Sequence, residues 1–152
     1  MRELGLGGAQ VTDAGLERLK GLTGLQLLYV GSEKVTDAGL EHLRGLTGLR
    51  ELGLGSTMVT DAGLEHLREL TSLQLLRLVR TRVTDAGLWH LRGLVALEWL
   101  DVRETQVTDA GFERLKRSLP ELKSVKATSS SRRLPPGPFA PPIMSPSERP
   151  RP

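Results

Sequence analysis

The hexapeptide VTDAGL occupies residues 11–16 and returns at 35–40, 59–64 and 83–88, with VTDAGF at 107–112. The step is 24 residues each time. A period this short and this strict restricts the chain to a stack of one repeated supersecondary unit. The unit LRELGLGSTMVTDAGLEHLREL, residues 49–70, changes its own period half-way. Leu52 and Leu54 alternate with Glu51, Gly53 and Gly55, which puts the leucines on one side of an extended segment. Leu64, Leu67 and Leu70 then recur every third residue and read as one face of a short helix. Each unit is a strand, a turn and a helix, and no unit buries its apolar side without a neighbour.

Within TDAGLEHL, residues 60–67, Thr60 or Asp61 caps the free N–H groups of the first turn. An aspartate there also meets the positive end of the helix dipole. Gly63 reads as a packing glycine against the next unit, Val59 as turn filler, and Leu64 as the start of the buried stripe. The rival is an array of carboxylates, Asp13, Asp37, Asp61, Asp85 and Asp109, doing acid chemistry or binding cations. Acid–base catalysis needs two carboxyls aimed at one bond in unlike environments, whereas identical repeats supply like ones. His42, His66 and His90 also share one repeat position. Zinc needs ligands about 2 Å from one ion, and packed helix axes lie roughly 8–10 Å apart. With no cysteine in the chain, these histidines are expected on a solvated outer face. The sequence implies no metal, no cofactor and no catalytic residues; no nucleophile–base pair or phosphate loop stands in it.

The spacing Leu49, Leu52, Leu54, Thr57, Val59 resembles the leucine-rich repeat family. The TDAGL that follows is similar to its bacterial variants and its F-box-associated subfamily. The pattern recurs at Leu25/Leu28/Val30, Leu73/Leu76/Leu78 and Leu97/Leu100/Val102, enters at Leu4/Leu6, and leaves a partial copy at Leu122/Val125/Ala127, displaced by one residue. The resemblance implies an α/β fold: a right-handed solenoid with a parallel sheet on the concave face and short helices on the convex face. It would cover residues 1–127 as five units and a partial sixth. The position that the family fills with asparagine or cysteine holds Ala9, Glu33, Thr57, Thr81 and Thr105. A threonine hydroxyl does part of that work, so the first two turns are expected to be looser than the last three.

If the hexapeptide is frame, recognition belongs where the units disagree. One column of outward strand positions reads Glu3, Leu27, Glu51, Leu75, Trp99, Ser124. The next reads Gly5, Tyr29, Gly53, Arg77, Asp101, Lys126, and the third Gly7, Gly31, Gly55, Val79, Arg103, Thr128. Units one and three are bland. Tyr29, Leu75, Arg77, Val79, Trp99, Asp101 and Arg103 are expected to form the partner-binding surface, with apolar groups outward and Arg77 beside Asp101. Trp89, standing where other units carry glutamate, marks a second outer contact. The expected activity is non-catalytic binding of a protein partner. The alternatives are substrate recognition in an F-box-type ubiquitin-ligase assembly, or a piece of a longer array without independent function.

Charge narrows the partners. Arg132, Arg133, Arg149 and Arg151 against Glu148 account for the whole net charge of +3, so residues 1–127 are neutral. A neutral body lacks the basic stripe that nucleic acid requires. No apolar run is long enough for a membrane span and no signal segment opens the chain, which fits a cytoplasmic protein. No polar capping unit precedes the first strand, which leaves that face open to end-to-end self-association. Residues 128–152 hold eight of the nine prolines and are expected to be a disordered tail. Within them RRLPPGP is similar to a ligand of Src-homology-3 domains.

Overall fold

The computed structural model describes residues 2–8 and 10–125. The tail, with its RRLPPGP stretch, lies outside them, as do Ala9, Lys126, Ala127 and Thr128. Strands β1 (Glu3–Gly7), β2 (Leu27–Gly31), β3 (Glu51–Gly53), β4 (Leu75–Arg77), β5 (Trp99–Asp101) and β6 (Lys123–Val125) form one parallel sheet in sequence order. Between them run α1 (Asp13–Glu17), α2 (Asp37–Leu40), α3 (Asp85–Leu88) and α4 (Asp109–Ser118). The third unit replaces its α-helix with a 3-10 segment, Asp61–Leu67, and α2 and α3 continue as 3-10 turns at Glu41–Leu43 and Trp89–Leu91. A leucine every third residue suits a helix of three residues per turn, so Leu64, Leu67 and Leu70 all turn inward.

The core lies between sheet and helices. From the strands it takes the rows Leu28, Leu52, Leu76, Leu100 and Val30, Leu54, Leu78, Val102. From the helices it takes Leu16, Leu40, Leu64, Leu88, Phe112 and the leucines three residues on. Each fully buried leucine stabilises the stack by about 2 kcal/mol. In the first unit, Leu4, Leu6 and Val11 are only partly buried.

The hexapeptide joins the units. Each threonine is an N-cap with extended backbone, and its hydroxyl accepts from a first-turn N–H. The aspartate that follows reaches across to the next unit. Asp13 accepts from the N–H and hydroxyl of Thr36, at 2.7 and 2.6 Å. Asp37 does the same to Thr60, Asp61 to Thr84 and Asp85 to Thr108. The glycine makes room for that carboxylate: a Cβ on Gly39, Gly63, Gly87 or Gly111 would overlap the preceding unit's aspartate.

The turns that leave the strands divide into two kinds. Thr57, Thr81 and Thr105 donate to the carbonyls of Leu54, Leu78 and Val102 at 2.8, 2.7 and 2.6 Å. In these three turns Ser56, Arg80 and Glu104 take positive φ. The second turn is not left loose, contrary to expectation. Ser32, buried beside Glu33, donates to Val11 O at 2.7 Å and accepts from Lys34 N at 3.2 Å.

The displacement expected in the last copy ends before the strand. In α4, Phe112, Leu115 and Leu119 follow a 3.6-residue period, which moves Leu119 and Leu122 one place along. The sheet then restores the 24-residue step: the Lys123 backbone N–H donates to Glu98 O at 2.8 Å, and Lys123 lies opposite Trp99, with Val125 opposite Asp101. Ser124 therefore stands opposite Leu100, not in the outward column with Trp99.

Candidate functional site

On the outward face of the sheet, parallel register brings Tyr29, Gly53, Arg77 and Asp101 side by side on β2 to β5. The Tyr29 ring lies over Gly53, where any Cβ would overlap the ring. Gly53 is thus the seat of an aromatic side chain, and its strand is not bland. The phenol donates to Glu51 Oε2 at 2.8 Å. Burial first, and then the bond to Glu51, push the Tyr29 pKa well above its ordinary value of 10.0.

Arg77 and Asp101 are register partners, yet their side chains part. Asp101 is 0% exposed and is held by Arg103 in a fork, Nε to Oδ1 at 2.9 Å and Nη2 to Oδ2 at 2.8 Å. The Arg103 N–H adds a third bond to the same carboxylate, at 3.2 Å. Arg77 turns the other way, its guanidinium carbon 5.5 Å from the centroid of the Tyr29 ring. The Arg77 Nε is buried with no hydrogen-bond acceptor, and among the described residues no carboxylate pairs with this guanidinium.

These side chains border a groove of about 460 Å³ that crosses the sheet from β1 to β5. Tyr29, Arg77, Val79, Asp101 and Arg103 line it, and Gly5, Gly7, Gly31, Gly53 and Gly55 form much of its floor. Two of the seven expected residues do not line it. Leu75, expected to project outward, is only 5% exposed, flanked in register by Glu51 and Trp99. Trp99 is half-buried, with the Lys123 ammonium 5.4 Å from its ring centroid. Glu51 and Gly53, which hold Tyr29, were not singled out by sequence reasoning. The signal was present, because a glycine adjacent to a tyrosine in one outward column offers it a seat.

The helix side carries different features. Trp89 is 55% exposed under the Arg92 guanidinium, 3.3 Å from its ring centroid, and Val95 is 79% exposed. His42, His66 and His90 are half-buried rather than fully solvated. The His66 Nδ1 accepts from Arg44 Nε at 2.8 Å, whereas the Nδ1 atoms of His42 and His90 are buried without a partner. Among the described residues no three His, Cys, Asp or Glu side chains converge to hold a metal ion. Among the same residues no helix is long and apolar enough to cross a membrane.

No family model matches the sequence, and a search of curated proteins returns no match. Solved structures do match. An internalin (inlF) from Listeria monocytogenes is 27% identical, with a TM-score of 0.69 over 82% of this chain and 34% of its own. Internalin C2 from the same organism is 26% identical, with a TM-score of 0.65 over 83% of this chain and 51% of its own. The chain thus spans about a third of one of these proteins and half of the other. Inward leucines at each 24-residue step from Leu4 to Leu100 along an unbroken parallel ladder, superposable on two internalins, give this chain the leucine-rich repeat fold.

Proposed function

We propose that the chain is a non-catalytic protein-binding module that receives its partner in the groove on the outward, concave face of the sheet. One observation carries the reading: five side chains that break the repeat, Tyr29, Arg77, Val79, Asp101 and Arg103, line a single groove. Tyrosine and arginine are among the residue types that dominate interface energetics, and Val79 adds an apolar wall beside them. The glycine floor lets a partner's main chain approach the sheet closely. Trp99 and Lys123 flank this surface and extend it toward β6.

The test is to fill the groove without disturbing the frame. A Cβ on Gly31 meets only Gly55 O at 3.5 Å, an ordinary contact, so Gly31→Leu adds bulk to the floor. Partner capture by affinity enrichment is expected to fall at least about tenfold, a change of roughly 1.4 kcal/mol, with the unfolding midpoint retained. Undiminished capture by a folded Gly31→Leu chain rules the groove out.

A further inference from the structure

Resting on that reading, we infer that the groove selects an extended protein segment by an acidic side chain, whose carboxylate docks on Arg77. Three facts lead there. The carboxylates of the two flanking strands are engaged elsewhere: Glu51 on β3 takes the Tyr29 hydroxyl, and both oxygens of Asp101 on β5 are held by Arg103. The Arg77 guanidinium has the face of Tyr29 as its contact. A cation–π contact attracts the guanidinium without neutralising it. Of the charges that line the groove, Asp101 is fully buried, so the groove's accessible charge is positive.

The occupant follows from this chemistry. A carboxylate meets the planar fork with two parallel hydrogen bonds, which a carboxamide of the same shape does not reproduce. A lone acid would leave the rest of the groove unused. Its glycine floor accepts a main chain, and Val79 offers an apolar wall for a neighbouring side chain. An extended peptide with an internal aspartate or glutamate satisfies all three features.

The experiment uses the full chain and an immobilised library of extended, C-terminally amidated decapeptides, whose central residue is fixed as Glu, Gln or Lys. Wild type is expected to prefer Glu over Gln by about tenfold, the effect of one charge-assisted fork. Arg77→Met should abolish that preference, and Arg77→Glu should turn it toward Lys. Wild-type indifference to the central residue overturns the inference, as does a Glu preference that survives Arg77→Met. Capture of no peptide overturns it as well, and so does capture only of peptides with a free C-terminal carboxylate. Gly31→Leu separates the two readings. If it leaves all capture intact, the groove itself is wrong; if it abolishes capture while Arg77→Glu keeps the Glu preference, only the acid-binding inference fails.

Discussion

Thr60 donates its backbone N–H and its hydroxyl to the carboxylate of Asp37, 2.7 and 2.5 Å away in the preceding unit. The same pair of bonds closes four successive junctions. Asp13, Asp37, Asp61 and Asp85 are therefore inter-unit fasteners as well as first-turn residues. The hexapeptide is strict because three of its positions serve one contact: threonine donates, aspartate accepts, and glycine yields the space.

Breaking one fastener has a definite cost. Asp61→Ala strands the N–H and hydroxyl of Thr84 at a central junction. Bonds to a charged acceptor contribute about 1.5–3 kcal/mol. Urea unfolding of Asp61→Ala should show a loss of about 2–3 kcal/mol, and Asp61→Asn a smaller one.

The glycines should divide by position. Gly39→Ala drives a Cβ into the Asp13 carboxylate, whereas a Cβ on Gly15 meets nothing nearer than Thr12 Oγ1 at 3.8 Å. Overpacking of this kind costs about 1–3 kcal/mol. Gly15→Ala should be neutral, or stabilising by up to about 1 kcal/mol through helix propensity. Thermal unfolding of the two variants side by side checks the contrast.

Tyr29 is the single tyrosine of the chain, so absorbance at alkaline pH reads its ionisation directly. Burial and Glu51 hold its pKa above the ordinary value, and the Arg77 charge opposes them. Glu51→Gln should lower the midpoint, and Arg77→Met should raise it further. Because the folded pKa lies above the unfolded one, the Tyr29 contribution to stability is complete below pH 10 and is lost as pH rises toward the folded value. The difference in unfolding midpoint between wild type and Tyr29→Phe should therefore change only in that alkaline window.

Asp101 should be the most demanding charge on the sheet. It is fully buried, and Arg103 supplies its ion pair. Arg103→Ala leaves that carboxylate without its fork and should cost about 2–3 kcal/mol, read by urea unfolding. Arg103→Lys should recover only part, since an ammonium cannot reproduce two parallel bonds.

Much of this fold was legible in the sequence. The 24-residue step, the alternation of Leu52 with Glu51 and Gly53, and the change of period at Leu64 specify the strand, the helix and the inward rows. The Asp37–Thr60 bond was not legible, because a threonine and an aspartate at a helix start are already explained by capping. Nothing local distinguishes an aspartate that reaches the next unit. The site was half legible. The column positions of Tyr29, Arg77 and Asp101 follow from period and pleat. Which way Arg77 turns depends on competition for Asp101 two residues from Arg103, and on the space above Gly53. The burial of Leu75 likewise depends on the side chains of two neighbouring strands.

The division between a repeating frame and a recognising surface is tested most directly by comparing partner capture for two full-length charge reversals, Arg77→Glu on the sheet face and Arg68→Glu on the exposed helix face. Both remove one arginine and add one acid, so bulk charge cancels in the ratio. Capture is predicted to be lost with Arg77→Glu and retained with Arg68→Glu. Equal capture by the two folded variants, or a loss confined to Arg68→Glu, would contradict it.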